Sequence, residues 1–404
     1  METWLTYLAA FLMAGATAYT FSSSTPLLKM MSAATSFLTG VAALLFLVVS
    51  FVTIASGTAS LRKNRLGGRT VRITIFWAVV TTVILSILGV ILANGIPQIF
   101  PVSSSAGGNY TEVLSSFTSS IDALDSGSII GKFFLPLVFA AFILGAALTP
   151  SSDVIRPAYT VMNSFSEAVY RIQRTAAYFG AFYVYVAGTA FFLNIWQEKT
   201  AFVSPEPFVA LALSVLLVIM VVLPLLYAIF TGFRKNPYGV VGRGLAGLLT
   251  AFLSSNIYAS SLMGESLSRS NMGIQKRISS TATPLSILIA RGGTAFVSTL
   301  TTVTLLKTLG AEISTFALVI LALTISGLSL VSSFFPGVEI AVVSVFAIRF
   351  LNINVYGAEA AIVALLPILN GFAIMIDVLI SFMASAIVGA RTKTDAKIPL
   401  KDTI

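Results

Sequence analysis

Successive apolar stretches of about twenty residues divide this chain, and they settle its solvent before any motif is considered. Runs near 4–24, 36–58, 73–97, 130–149, 176–196 and 208–232 each reach the length a helix needs to cross the hydrocarbon core of a bilayer. In lipid every backbone N–H and C=O must find a partner within the protein, so each run is expected as a helix. Hydrophobic residues make up 57% of the 404 positions and charged residues 10%, far too little charge for a soluble domain. The N-terminal METWLTYLAAFLMAGATAYTF has no basic leader ahead of its apolar run. It is expected to be a retained first span, not a cleaved signal.

The net charge of +9 is distributed by topology. Arg62, Lys63, Arg65, Arg69 and Arg72 fill one loop, whereas the next, at 98–128, has no Lys or Arg and carries Glu112, Asp122 and Asp125. Arg156, Arg171 and Arg174 follow, then a near-neutral loop at 197–207, then Arg234, Lys235 and Arg243. Basic charge on every second loop places the N-terminus and the tail at 391–404 in the cytoplasm, with no role for nucleic acid. An integral plasma (inner) membrane location follows. Cysteine and histidine are both absent, which removes disulfides, thiolate metal sites and the usual proton shuttle. Proton chemistry is left to carboxylates.

From residue 245 the texture changes. A short apolar piece at 245–253 runs into SSNIYASSLMGESLSRSN before a crossing is complete, with Lys276-Arg277 beyond. Residues 283–306 could span a bilayer, yet hold Arg291 followed by Gly292-Gly293. A cation beside a helix break is tolerable at that depth only where it faces protein, water or a counter-charge. A second interrupted segment reads 315–325, then SGLSLVSSFFPG, then 338–350. The final span, about 359–390, carries Asp377 in its core. Two re-entrant hairpins entering from opposite faces around a broken span fit an inverted repeat that encloses a midplane site.

The stretch ATPLSILIARGGTA at 282–295, the FFPG tip at 334–337 and ASAIVG at 384–389 resemble, in order, landmarks of the dicarboxylate/amino acid:cation symporters, the glutamate transporter homologues. The proline-bearing FFLPLVFAAFILGAAL at 133–148 extends the likeness more weakly over the N-terminal half. The resemblance implies an all-α polytopic fold of eight transmembrane helices and two re-entrant hairpins. It also implies a homotrimer in contact with membrane lipid, and secondary transport by an elevator movement. The scaffold part would lie mainly in 1–60 and 130–205, the moving part mainly in 70–100 and 206–390.

The family's broken helix carries an Asn-Met-Asp-Gly-Thr motif whose Asn and Asp help coordinate sodium. Ala290, Arg291 and Gly292 stand in the first three places, while Gly293 and Thr294 keep the last two. On the last helix the residue that would hold the substrate amino group is Asn370, and the one that would bind a side-chain carboxylate is Ala373. A further sodium pair becomes Asp377 and Ser381, and Thr81-Thr82 match a threonine–serine sodium pair without its partner carboxylate.

Asn370, Asp377 and Ser381, spaced by seven and four, share one helical face. Under the fold that the resemblance implies, this face looks at the broken span, so Arg291 and Asp377 are expected to pair, the guanidinium occupying a cation's place. At about 4 Å such a pair is worth roughly 4 kcal/mol at an effective dielectric of about 20. The expected pocket comprises Arg291, Asp377, Asn370, Gly292, Gly293, Thr294 and Ser381, with Ser329, Ser332 and Ser333 of the second hairpin and Asn256 and Ser260 of the first. Glu339 and Glu265 are candidates for proton coupling, or else sit at wet hairpin mouths or pair with nearby bases.

No catalytic constellation is present, so an enzyme is not expected, and no cofactor is implied. The solute is expected to be small and polar, an amino acid or a carboxylate, with little or no need for sodium. A sodium- or proton-coupled symporter with relocated sites, and a non-transporting sensor or anion-conducting relative, stay open as alternatives. So does a purely structural role for the Arg291–Asp377 pair.

Overall fold

A computed structural model describes residues 3–63, 66–95, 133–148, 153–197, 206–308, 310, 313–350 and 358–392. The acidic loop at 98–128, most of the loop at 197–207, the Glu359 side chain and the tail beyond Thr392 lie outside the described residues.

The described residues are helical, with no β-strand among them. The N-terminal half comprises α1 (Thr3–Thr20), α2 (Thr25–Lys63), α3 (Gly67–Gly95), α4 (Phe133–Ala147) and α5 (Arg156–Gln197). It ends in α6 (Glu206–Leu217) and α7 (Leu223–Thr231), joined by a π-helical turn at Val218–Val222. Helices α2 and α5 run for 39 and 42 residues, well past the apolar runs at 36–58 and 176–196. The hydropathy boundary marks where side chains stop favouring lipid. The hydrogen-bond ladder continues beyond it, and a helix this long spans about 60 Å, twice the hydrocarbon thickness. Arg171 and Arg174 sit exposed on the part of α5 that lies before the apolar run.

Among the described residues six helical stretches are long and apolar enough to cross a membrane: Thr25–Arg62, Gly67–Gly95, Arg156–Gln197, Phe208–Thr231, Lys276–Thr308 and Leu365–Thr392. Their burial separates two groups. Within its most apolar window Thr25–Arg62 is 33% buried, whereas Lys276–Thr308 is 94% and Leu365–Thr392 89% buried. The last two are encased by the rest of the chain and need not be compatible with lipid. Lys276–Thr308 can therefore hold a mean hydropathy of only 1.2 and a charge in its middle.

The C-terminal half builds that casing. A short α8 (Tyr238–Arg243) leads into α9 (Leu245–Ser254), which turns at Ser255 into α10 (Ile257–Ser261) and α11 (Gly264–Ser270). The broken span follows as α12 (Lys276–Ile289) and α13 (Gly292–Thr308). Next, α14 (Thr315–Val331) turns through a 3-10 segment, Ser332–Phe334, into α15 (Glu339–Phe350), and α16 (Ala358–Thr392) closes the chain. Helix α13 packs on α3, α14, α15 and α16, so it lies at the centre.

The two hairpin turns meet. The Tyr258 hydroxyl of α10 donates to the Ser333 carbonyl of the second turn. Ser255 adopts φ +47°, a left-handed conformation unusual for a side-chain-bearing residue. It is held there from both sides: its hydroxyl donates to Pro367 O at 2.9 Å, and its carbonyl accepts from Asn370 Nδ2 at 3.1 Å. Gly337, at φ +92°, makes the second turn in a conformation that favours glycine.

Candidate functional site

The site begins with the break between α12 and α13. Ala290 leaves helical geometry at φ −85°, ψ 82°, and Arg291 O accepts the first bond of α13 from Ala295 N at 2.9 Å. The first amides of α13 consequently have no partner within their own helix. Asp377, projecting from α16, supplies one. Its Oδ1 accepts from Gly293 N at 2.6 Å and from Thr294 N at 3.3 Å, and its Oδ2 from the Thr294 hydroxyl at 2.6 Å. A carboxylate at a helix N-terminus satisfies orphan donors and complements the positive end of the helix dipole.

This arrangement depends on an unusually close approach of two backbones. A Cβ on Gly293 would overlap Ala373 O and stand 2.6 Å from Ile376 Cβ and 3.0 Å from Asp377 N. Only glycine lets α13 lie so near α16 that the carboxylate reaches the amides.

Arg291 occupies the space beside this cap and is completely buried. Its Nη1 lies 3.7 Å from Asp377 Oδ2 and 3.9 Å from Glu339 Oε1. None of its three nitrogens has a hydrogen-bond acceptor. Glu339 and Asp377 are fully buried as well. Glu339 opens α15, and its Oε2 accepts from Gly337 N at 2.8 Å and from Asn370 Nδ2 at 2.8 Å, while Oε1 has no hydrogen bond. Asn370 therefore bridges the carboxylate that opens α15 to the turn at Ser255.

The structure thus brings together Arg291, Asp377, Asn370, Gly293, Thr294 and Glu339. Of the alternatives left open for Glu339, a wet mouth is ruled out by its burial, and a nearby base, Arg291, is present. The residue after a Pro-Gly turn looks exposed along the chain, but here α13 and α16 cover it. Glu265 is no mouth residue either. It is 2% exposed, accepts from the Ser280 hydroxyl at 2.5 Å and has Arg269 Nη1 at 3.8 Å.

The hydroxyls behave differently from the carboxylates. Ser381 donates to its own helix at Asp377 O, 3.0 Å away, although it shares a face with Asp377. Ser260 and Ser332 likewise donate to carbonyls of their own turns, and Asn256 Oδ1 caps α10 by accepting from Tyr258 N and Ala259 N. Ser329 is buried with an unpartnered hydroxyl, and Ser333 contributes its backbone carbonyl to the tip contact. Sequence spacing did not single out Tyr258 or Ser255. Their signal was the serine-rich stretch around them, which marks a turn but says nothing of what it touches.

An all-helical membrane protein whose least lipid-accessible helices carry a buried charged centre at a helix break has the build of a solute carrier. The profile of the sodium:dicarboxylate symporter family matches residues 4–391, nearly the whole chain. The chain belongs to that family, whose members are secondary transporters in the membrane.

The family name raises the question of sodium, and the residues at the implied sodium positions fit it poorly. Ala290 and Gly292 offer no side-chain oxygen. The room for a side chain at Gly292 is filled by Ile380, whose Cδ1 would lie 2.7 Å from an added Cβ, and by Leu85, at 3.0 Å. Thr81 and Thr82 donate to Trp77 O and Ala78 O of α3, at 2.8 and 2.7 Å, which leaves their oxygen lone pairs free and does not count against a cation. Asp377 is engaged by three donors and the guanidinium.

Proposed function

We propose that this chain is a secondary transporter of a small polar organic solute, an amino acid or a carboxylate, and that Arg291 stands where relatives hold a bound cation. The reading rests chiefly on one observation: a fully buried guanidinium, flanked by two carboxylates, at the break where the resemblance puts a sodium site. A guanidinium fixed to the backbone supplies the positive charge permanently. Solute binding then needs little or no sodium.

The architecture we attach to this reading has eight spans, two re-entrant hairpins, both termini in the cytoplasm and three copies per assembly. The contact between the hairpin turns at Tyr258 and Ser333 supports a pocket closed from both sides. Substrate-induced thermal stabilisation of the purified protein tests the sodium claim. Midpoint shifts in sodium and in choline should agree closely. A shift that appears in sodium alone overturns it. Counterflow in proteoliposomes then separates a transporter, which exchanges labelled solute, from a sensor, which binds without exchange.

An elevator movement requires the helices around Arg291 to slide along a stationary α5, and a charged latch joins these parts. Glu167 of α5 lies 3.3 Å from Arg269 Nη2 and 3.0 Å from Lys276 Nζ, and Arg269 stacks 3.5 Å above the Tyr170 ring. Glu167 is 45% exposed, so these pairs are worth at most about 1 kcal/mol in stability. Glu167→Gln should leave solute affinity intact and raise the counterflow rate by up to about five-fold, the kinetic equivalent of that energy. An unchanged rate would separate this contact from the moving interface.

A further inference from the structure

The charge at the centre does not balance. With both carboxylates ionised, one guanidinium faces two of them, which leaves one negative charge in a site with no exposed side chain. The described charged side chains on the helices packed against α15 are Lys307 of α13 and Asp377 and Arg391 of α16; α14 has none. Lys307 is bound to Asn94 Oδ1 at 2.5 Å and Arg391 to Phe230 O at 2.8 Å, both away from the centre. Arg349 lies ten residues along α15 from Glu339, roughly 15 Å of helix rise. The Tyr258 hydroxyl, the remaining titratable group nearby, is spent on Ser333 O. Among the described residues nothing else supplies a positive charge.

The imbalance is localised. Asp377 has three donors and the arginine, and it is the better satisfied carboxylate. Glu339 keeps Oε1 without any hydrogen bond, buried and facing the guanidinium at 3.9 Å, beyond hydrogen-bond distance. A buried anion in this state calls for a second cationic partner with N–H donors. An ammonium group meets that need: it carries the missing charge and three donors. A second carboxylate would deepen the excess of negative charge.

We propose that the solute carries an ammonium group which pairs with Oε1 of Glu339, and that dicarboxylates are not carried. This rests on the transporter reading above and narrows its substrate class. Glu339 thereby becomes a specificity residue on the second hairpin, so the hairpin is held closed by the solute it admits.

Full-length purified protein in choline buffer provides the test, by thermal shift with the common amino acids and with amine-free lactate, propionate, malate and succinate. At least one amine-bearing compound should raise the midpoint by about 2 °C or more, and no amine-free acid should. Glu339→Gln leaves Arg291 and Asp377 as a neutral pair, so its unliganded midpoint should match or exceed that of the native protein. Its affinity for the stabilising amine should fall by at least about ten-fold. Stabilisation by succinate or lactate, an unchanged affinity in Glu339→Gln, or no stabilisation by any amine in either choline or sodium buffer would each overturn the proposal. So would a pH-dependent midpoint without solute that Glu339→Gln abolishes while amines have no effect, since a proton would then be the missing charge. If every compound binds only in sodium, the arginine-for-cation reading fails instead, and the two failures are distinct.

Discussion

Arg291→Met should be among the most destabilising single substitutions in this protein, lowering stability by about 3–5 kcal/mol. Methionine fits the volume, but it strands two carboxylates, Glu339 and Asp377, in a site closed to water. Removing one member of a buried ion cluster costs more than removing all of it, because uncompensated charges stay desolvated. Arg291→Met combined with Glu339→Gln and Asp377→Asn should therefore recover more than half of the loss. Adding Asp377→Asn alone should recover less, since Glu339 would remain unpaired. Thermal midpoints in detergent, followed by size-exclusion profiles, would measure the series. A triple variant no more stable than the single one would show that the charges do not act as a unit.

Gly293→Ala should cost a comparable amount for an unrelated reason. The added methyl would overlap Ala373 O and crowd Ile376 Cβ at 2.6 Å, and both neighbours are packed elements of α16 with nowhere to retreat. Overpacking of this kind costs about 1–3 kcal/mol. Separating the helices also strains the 2.6 Å bond from Gly293 N to Asp377, a charge-assisted interaction worth about 1.5–3 kcal/mol. Gly292→Ala is the internal control. Its methyl would meet the ends of the Ile380 and Leu85 side chains, which can shift, with the Thr81 carbonyl farther off at 3.3 Å, so a loss near 1 kcal/mol is expected. Equal losses at the two glycines would show that the backbone approach of α13 to α16 has no special weight.

Periodicity and hydropathy were informative where structure is local. The apolar runs correspond to helices α1 to α7, and the polar interruptions at 254–271 and 326–337 each contain a turn, although α10 and α11 form within the first and α14 runs through Gly327 and Ser329 to Val331. The ends of α2 and α5 were not legible, because a helix continues wherever its backbone bonds do, whether or not its side chains suit lipid. The spacing of Asn370, Asp377 and Ser381 placed all three on one face, and two of them reach the centre. The Ser381 hydroxyl instead finds a carbonyl one turn back, a choice that a shared face does not exclude. Glu339 was visible as a carboxylate after a turn. Its burial depends on α13 and α16, elements at other places in the chain.

Sequence alone determined that this chain lives among lipids as helices, that one of its spans is broken at a cation, and that the cation must face protein, water or a counter-charge. Each of these follows from the cost of placing polar atoms in hydrocarbon, which a linear stretch of residues already reveals. The tertiary structure decided which anions answer it, that there are two of them, and that Asp377 also closes the open end of a helix through Gly293, 84 positions earlier. Buried charges pair through space. The partners come from whichever backbones packing allows into contact, and at Gly293 that contact hangs on the absence of a single methyl group.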